Sequence, residues 1–180
     1  MKKILCASAA ALLLAAFSTQ AISLSGEAGR DYTHVGAGMG LGIPGLGASA
    51  GWTHGDNSND IYGLGLHYRL PVGPLSLTVG GKALYLNQDK GKDGSAVALG
   101  GGLEWPINRL FSVYGEGYYA PEAFSSHVDH YVEGKAGVRW HALPPLTVDV
   151  GYRYINLAGQ DGRGDNRVAD SAYAGVALSF

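Results

Sequence analysis

The chain is 180 residues long, with 13 basic residues against 15 acidic ones and a net charge of −2. That balance gives no electrostatic footprint for a nucleic-acid partner, and a lone cysteine, Cys6, excludes disulfides and thiolate metal centres. The 29 glycines and 11 tyrosines, at a mean hydropathy of +0.02, suit a strand-built protein better than a soluble core.

Residues 1–21 read as an export signal. Lys2 and Lys3 form the positive start, Ile4 to Phe17 the apolar stretch, and Thr19-Gln20-Ala21 puts small residues where a signal peptidase reads. The stretch falls short of the roughly 20 apolar residues a membrane helix needs. Cleavage would remove Cys6 and leave residues 22–180 as one domain. No later segment is apolar enough to span as a helix, so insertion into a membrane requires a closed barrel.

Past Ile22 the chain divides into ten short alternating segments, near 22–30, 33–43, 45–54, 60–70, 74–87, 95–105, 109–120, 130–141, 145–156 and 169–180. Each approximates the roughly 9–11 residues with which a tilted strand crosses a bilayer. Gly36, Gly38, Gly40 and Gly42 weaken the second segment. Without the first pair, eight strands remain, which is also an even number. The connections alternate in kind. Pro44-Gly45, Leu70 to Pro74, Trp105 to Asn108 and Ala142 to Pro145 are short and proline-marked. His54 to Asp60, Asn87 to Gly94, Ala120 to Asp129 and Asn156 to Arg167 are polar and mostly longer. Outer-membrane barrels show this asymmetry, with short periplasmic turns and long external loops.

Residue parity sorts the side chains. One face carries Tyr62, Leu64, Leu66, Tyr68, Leu99, Val113, Val138, Val150 and their neighbours, with no charge. The other carries Glu27, Arg69, Lys82, Glu104, Glu116, Glu133, Lys135, Arg139, Asp149 and Arg153. In a soluble barrel the charges would face water; in a membrane barrel they line the lumen. The export signal, the terminal Phe180 and the aromatic placement together select the membrane. Tyr68, Trp105 and Trp140 lie near the proline turns, and Trp52, Tyr62, Tyr85, Tyr119 and Tyr154 near the polar loops. Two such girdles match the two interfaces of a bilayer. Five acids and five bases then share the lumen, and they are expected to pair, with Tyr114, Tyr118, Tyr131 and Tyr173 adding bulk. In the hairpin around Leu143-Pro144-Pro145, register places either Glu133 opposite Arg153 or Arg139 opposite Asp149. Glu116 is expected beside Glu133, with Arg139 and Arg153 as bridging cations.

The last strand resembles the C-terminal insertion signal of bacterial outer-membrane barrels, through Tyr173, Gly175, Val176 and Phe180. Leu178 stands where an aromatic is usual. Against the hydrolases known among such barrels, Ser125, Ser126, His127, Asp129 and His130 are suitable residue types but crowd into one loop, where a solvated loop is the plainer reading. Asp161 to Asn166 departs from a calcium-loop pattern.

The whole chain also resembles the YfaZ family of bacterial outer-membrane proteins. The residues that carry this are Ser25-Gly26-Glu27-Ala28-Gly29, Trp52-Thr53-His54, Gly73-Pro74-Leu75, Val79-Gly80-Gly81-Lys82, Gly100-Gly101-Gly102-Leu103, Gly151-Tyr152-Arg153-Tyr154 and Asp165 to Asp170. The resemblance implies an outer-membrane barrel and carries over no catalytic residue. The expectation is therefore an all-β protein: a closed antiparallel transmembrane up-and-down β-barrel of ten strands, with eight as the alternative. It would be structural or narrowly permeable, non-enzymatic, and without cofactor or metal. Its partners would be outer-membrane lipid, lipopolysaccharide and, through the C-terminal strand, the barrel assembly machinery. Both termini would be periplasmic in a Gram-negative bacterium. A barrel enzyme acting on lipid or peptide, a small diffusion channel and a soluble periplasmic barrel binding an apolar ligand are the competing readings.

Overall fold

The computed structural model describes residues 22–56, 59–87, 93–126, 128–159 and 166–180. The export signal, His127 and the 161–165 stretch lie outside them. Ten long strands wall the molecule: β1 (Ile22–Gly29), β2 (Tyr32–Met39), β3 (Gly45–Gly55), β4 (Asn59–Val72), β5 (Leu75–Asn87), β6 (Gly94–Pro106), β7 (Phe111–Ala120), β9 (Val128–Leu143), β10 (Leu146–Gly159) and β11 (Asn166–Ser179). A 3₁₀ turn, η1 (Glu122–Phe124), leads into a two-residue piece, β8 (Ser125–Ser126), which pairs with β6 through Ser95 and Ala96. This short addition is absent from the sequence reading, which has no signal for a two-residue pairing.

All long pairings are antiparallel between consecutive wall strands, and β1 pairs with β11 to close the sheet. The Gly-rich β2 pairs with both β1 and β3, so the barrel has ten strands rather than eight. Closure leaves no wall strand with an unpaired edge, the condition for strands in hydrocarbon. At the seam the two ends clasp: Ile22 N donates to Phe180 O at 3.1 Å and Phe180 N donates to Ile22 O at 2.8 Å.

Among the described connecting residues, one end of the barrel carries 30–31, 56, 93 and 121–126; the other carries 40–44, 73–74, 107–110, 144–145, Ile22 and Phe180. We call these the loop end and the turn end. The turns are tight for local reasons. Gly73 adopts φ 61° between Val72 and Pro74, a conformation that side chains with a Cβ resist. Asn108 Oδ1 accepts from Leu110 N and Phe111 N, both at 2.8 Å, and so closes the 107–110 turn.

Alternation decides what faces out. Leu64, Leu99 and Val150 stand 67%, 61% and 55% exposed on the outer surface. The inward-facing residues of the wall strands include every charge assigned to the lumen by parity. An apolar layer of the same parity as the charges fills the loop end of the lumen. Tyr32, Ile61, Leu84, Leu86, Tyr131, Ile155, Leu157 and Val168 are all buried there in one cluster. A register shift between Ile155 and Asn156 leaves Val168 without a partner in the β10–β11 ladder, and both Val168 and Ala169 are buried. Val168 reaches β3 across the short β1–β2 hairpin. A Cβ on Gly55 would lie 3.0 Å from its carbonyl oxygen, so the glycine admits that approach.

Candidate functional site

The lumen below this apolar layer is the candidate site, and the wall register builds it. Glu27 faces the lumen from β1, Lys82 from β5, Glu133 and Lys135 from β9, and Asp149 and Arg153 from β10. Arg153 is 6% exposed and lies at the centre. Its Nη1 donates to Glu27 Oε2 at 2.9 Å and its Nη2 to Glu133 Oε1 at 2.7 Å. Lys82 Nζ donates to the other oxygen of Glu133 at 2.8 Å, and Tyr131 Oη donates to it at 2.9 Å. Lys135 pairs with Glu27 and lies 3.9 Å from Asp149. Tyr114 and Tyr173, from β7 and β11, each donate to Asp149 Oδ2 at 2.8 Å. Lys82 Nζ also stands 3.7 Å from the centre of the Tyr118 ring. Each buried carboxylate of this cluster thus meets a cation, as the cost of an unpaired charge in a dry interior demands.

A second cluster lies nearer the turn end. Glu104 on β6 accepts from Arg69 through one oxygen. Its other oxygen accepts from Arg139 at 3.1 Å and from Ser112 Oγ at 2.8 Å. Arg139 stacks 4.5 Å over the Tyr114 ring, which links the two clusters in space.

Several sequence expectations change here. The hairpin register sets Arg139 opposite Asp149 and Lys135 opposite Arg153, yet neither facing pair is the principal ion pair. Arg153 reaches diagonally to Glu133, and Arg139 turns to Glu104 on the far side of β7. Glu116 does not sit opposite Glu133: Tyr118 does, and Glu116 faces Lys135. Among the described residues Glu116 makes no ion pair within 4 Å; it lines a cavity of about 240 Å³ with His34, His67, Lys82 and Glu133. Arg153 does bridge two carboxylates, but they are Glu27 and Glu133. The sequence carries no signal for this choice, because Glu27 and Arg153 are joined only by closure of the β1–β11 seam.

The aromatic residues form two belts. Trp52 faces Tyr62 and Tyr62 faces Tyr85 on adjacent strands at the loop end. Their polar tips point outward: Trp52 Nε1 donates to Asp60 at 2.8 Å and Tyr85 Oη to Asp93 at 2.9 Å. Tyr119 is exposed beside them, and Tyr154 is half-buried with Arg167 5.9 Å from its ring. Tyr68, Trp105 and Trp140 are exposed towards the turn end, where Trp140 stacks on Phe111 at 6.5 Å. The C-terminal motif divides between the faces. Val176, Leu178 and Phe180 face outward, while Tyr173 is buried against Asp149. Gly175 sits where a Cβ would lie 2.9 Å from Asp149 Oδ1 and 3.1 Å from Glu27 Cγ. Of the loop residues weighed for hydrolysis, Ser125 Oγ donates to Pro121 O at 3.0 Å, and His130 packs 6.2 Å from Tyr119.

A closed ten-strand barrel with an apolar belted exterior and an ion-paired interior defines an integral outer-membrane β-barrel protein. The family model and the curated relative agree in class. The family described as "YfaZ precursor" matches residues 1–180. The outer membrane protein YfaZ of Escherichia coli (strain K12) is 48% identical over 180 residues, covering 100% of each chain. Among solved structures, the KdgM porin is similar with TM-score 0.46 at 12% identity, covering 89% of this chain and 99% of that one. The NanC porin is similar with TM-score 0.45 at 13% identity, covering 90% and 99%. The chain belongs to the YfaZ family and is an outer-membrane protein.

Proposed function

We propose that this protein is a non-enzymatic barrel of very low permeability, with its loop end outside the cell and both termini in the periplasm. The observation that carries the reading is the series of two obstructions in one lumen. The apolar layer of Ile61, Leu86, Tyr131 and Leu157 closes the loop end, and the Arg153 cluster crosses the middle. A hydrated ion would have to shed water at the first and break charge pairs at the second, and both are costly in a low-dielectric space. The turn-end cavity, about 820 Å³, is lined at its inner end by Glu27, Lys135 and Asp149 of the central cluster.

Two hydroxyl–histidine pairs occur, Thr53 with His34 at 2.8 Å and Ser112 with His141 at 3.5 Å, but Ser112 Oγ donates to Glu104, and neither histidine has a carboxylate within 4 Å among the described residues. That arrangement leaves no oriented base for the hydroxyl. The loop and turn asymmetry supports the orientation. The outward Val176, Leu178 and Phe180 support recognition of β11 by the assembly machinery, and the tyrosine and tryptophan belts support contact with lipid and lipopolysaccharide. The test is planar-bilayer recording of the purified protein. The expected record has no resolved conductance steps in molar salt; a steady ohmic current through the wild type would overturn the closed reading.

A further inference from the structure

The charges of the lumen are paired within each cluster but not evenly spread between the middle and the mouth. The central cluster sets Lys82, Lys135 and Arg153 against Glu27, Glu133 and Asp149, with Glu116 alongside. Three guanidiniums, Arg69, Arg109 and Arg139, line the turn-end cavity with Glu104, and Lys135, Glu27 and Asp149 of the central cluster line its inner end, so that four cations meet three carboxylates. Glu104 is shared by Arg69 and Arg139 and cannot neutralise both. Arg109, on the exposed 107–110 turn, makes no ion pair among the described residues. Arg69 Nε is buried and has no hydrogen-bond partner among the described residues, so one donor of its fork is unused. A buried donor without an acceptor is costly, and a concave mouth with excess positive charge concentrates anions.

We propose that the turn-end cavity is a binding site for a small anion bearing a carboxylate or phosphate group. The anion would lie between Arg109 and the Arg69–Arg139 pair and share their guanidiniums with Glu104. Planar forks hold such oxyanions with two parallel hydrogen bonds. The volume, about 820 Å³, falls in the range of ligand pockets and admits a small organic anion rather than a polymer. The site goes beyond the closed-barrel reading and does not depend on it, because the turn-end mouth gives access whether or not the lumen is closed above it. The anionic group can come from a soluble metabolite or from a phospholipid headgroup of the adjoining leaflet.

The experiment is calorimetric titration of the full protein, purified from outer membranes in a zwitterionic detergent at low salt, with citrate and with inorganic phosphate. A parallel arm measures retention of phosphatidylglycerol against phosphatidylcholine from nanodiscs. Binding is expected to be saturable. Arg109→Gln, on an exposed turn, should weaken it about threefold or more. Glu104→Gln, which removes the resident competitor, should strengthen it about tenfold. Arg167→Gln alters net charge equally at the opposite end and should change nothing. Citrate or phosphate binding identifies a soluble ligand. Retention of phosphatidylglycerol alone, lost in Arg109→Gln, identifies the headgroup. No saturable binding in either arm overturns the proposal. So does binding that is indifferent to Arg109→Gln and Glu104→Gln in proteins with normal heat-modifiable migration. Bilayer recordings of the same preparations report separately on closure, so each reading can fail alone.

Discussion

Arg153 donates to Glu133 at 2.7 Å although the strand register places Lys135, not Glu133, directly opposite it. Two bases facing each other across a hairpin would repel. Arg153 instead turns along the barrel axis to Glu133 and, across the β1–β11 seam, to Glu27. Its replacement removes the one cation common to two nearly buried carboxylates and leaves Glu133 with Lys82 and Glu27 with Lys135.

Arg153→Ala is therefore expected to destabilise the barrel where water stays out, by less than the roughly 3–5 kcal/mol of a fully unpaired buried charge, because each carboxylate keeps one lysine. Adding Glu133→Ala should recover part of that loss. Urea midpoints in lipid micelles check both. If the single variant keeps the wild-type midpoint, the lumen is wet and the pairing contributes little.

Leu99 is 61% exposed at mid-height, whereas Lys82 points inward to Glu133. Arginine on the lipid face at the midplane costs about 2–4 kcal/mol. Leu99→Arg should impair assembly, while Lys82→Ala should assemble, since Arg153 still holds Glu133. Heat-modifiable gel mobility of the two proteins distinguishes inside from outside, and equal behaviour would contradict the assignment of faces.

Gly175 and Gly26 are close in the seam but face opposite ways. A Cβ on Gly175 would crowd Asp149 and Glu27, whereas nothing lies within 4 Å of one on Gly26. Gly175→Val should lower folding yield and the urea midpoint, and Gly26→Ala should leave both near wild type. The comparison tests whether this part of the C-terminal motif serves the lumen. A Gly175→Val protein of unchanged stability would show that it does not.

Orientation is open to chemical labelling. A cysteine replacing Asp93, at the loop end, should react with an impermeant maleimide on intact cells. A cysteine replacing Asn108, in a tight turn, should react only after the outer membrane is permeabilised. Reversed labelling would invert the proposed topology.

Much of this protein is fixed by a period of two. Alternation along each strand assigns Leu64, Leu99 and Val150 to one face and Arg69, Glu133 and Arg153 to the other, whatever the register, because successive side chains must point apart. The proline turns, the polar loops and the aromatic belts are equally local, so the sequence by itself determined a membrane barrel and the contents of its lumen. It did not determine who meets whom inside. Glu27 reaches Lys135 and Arg153 only because the sheet closes between β1 and β11, and Glu104 meets Arg139 across an intervening strand. Such contacts depend on strand stagger and curvature, which accumulate around the whole barrel and leave no trace in any one segment. The apolar layer was hidden for the same reason. Ile61, Leu86 and the β10 pair Ile155 and Leu157 are inward residues from three different strands. Only the tertiary structure, by bringing those strands round to one end, makes of them a closed mouth above an open, basic one.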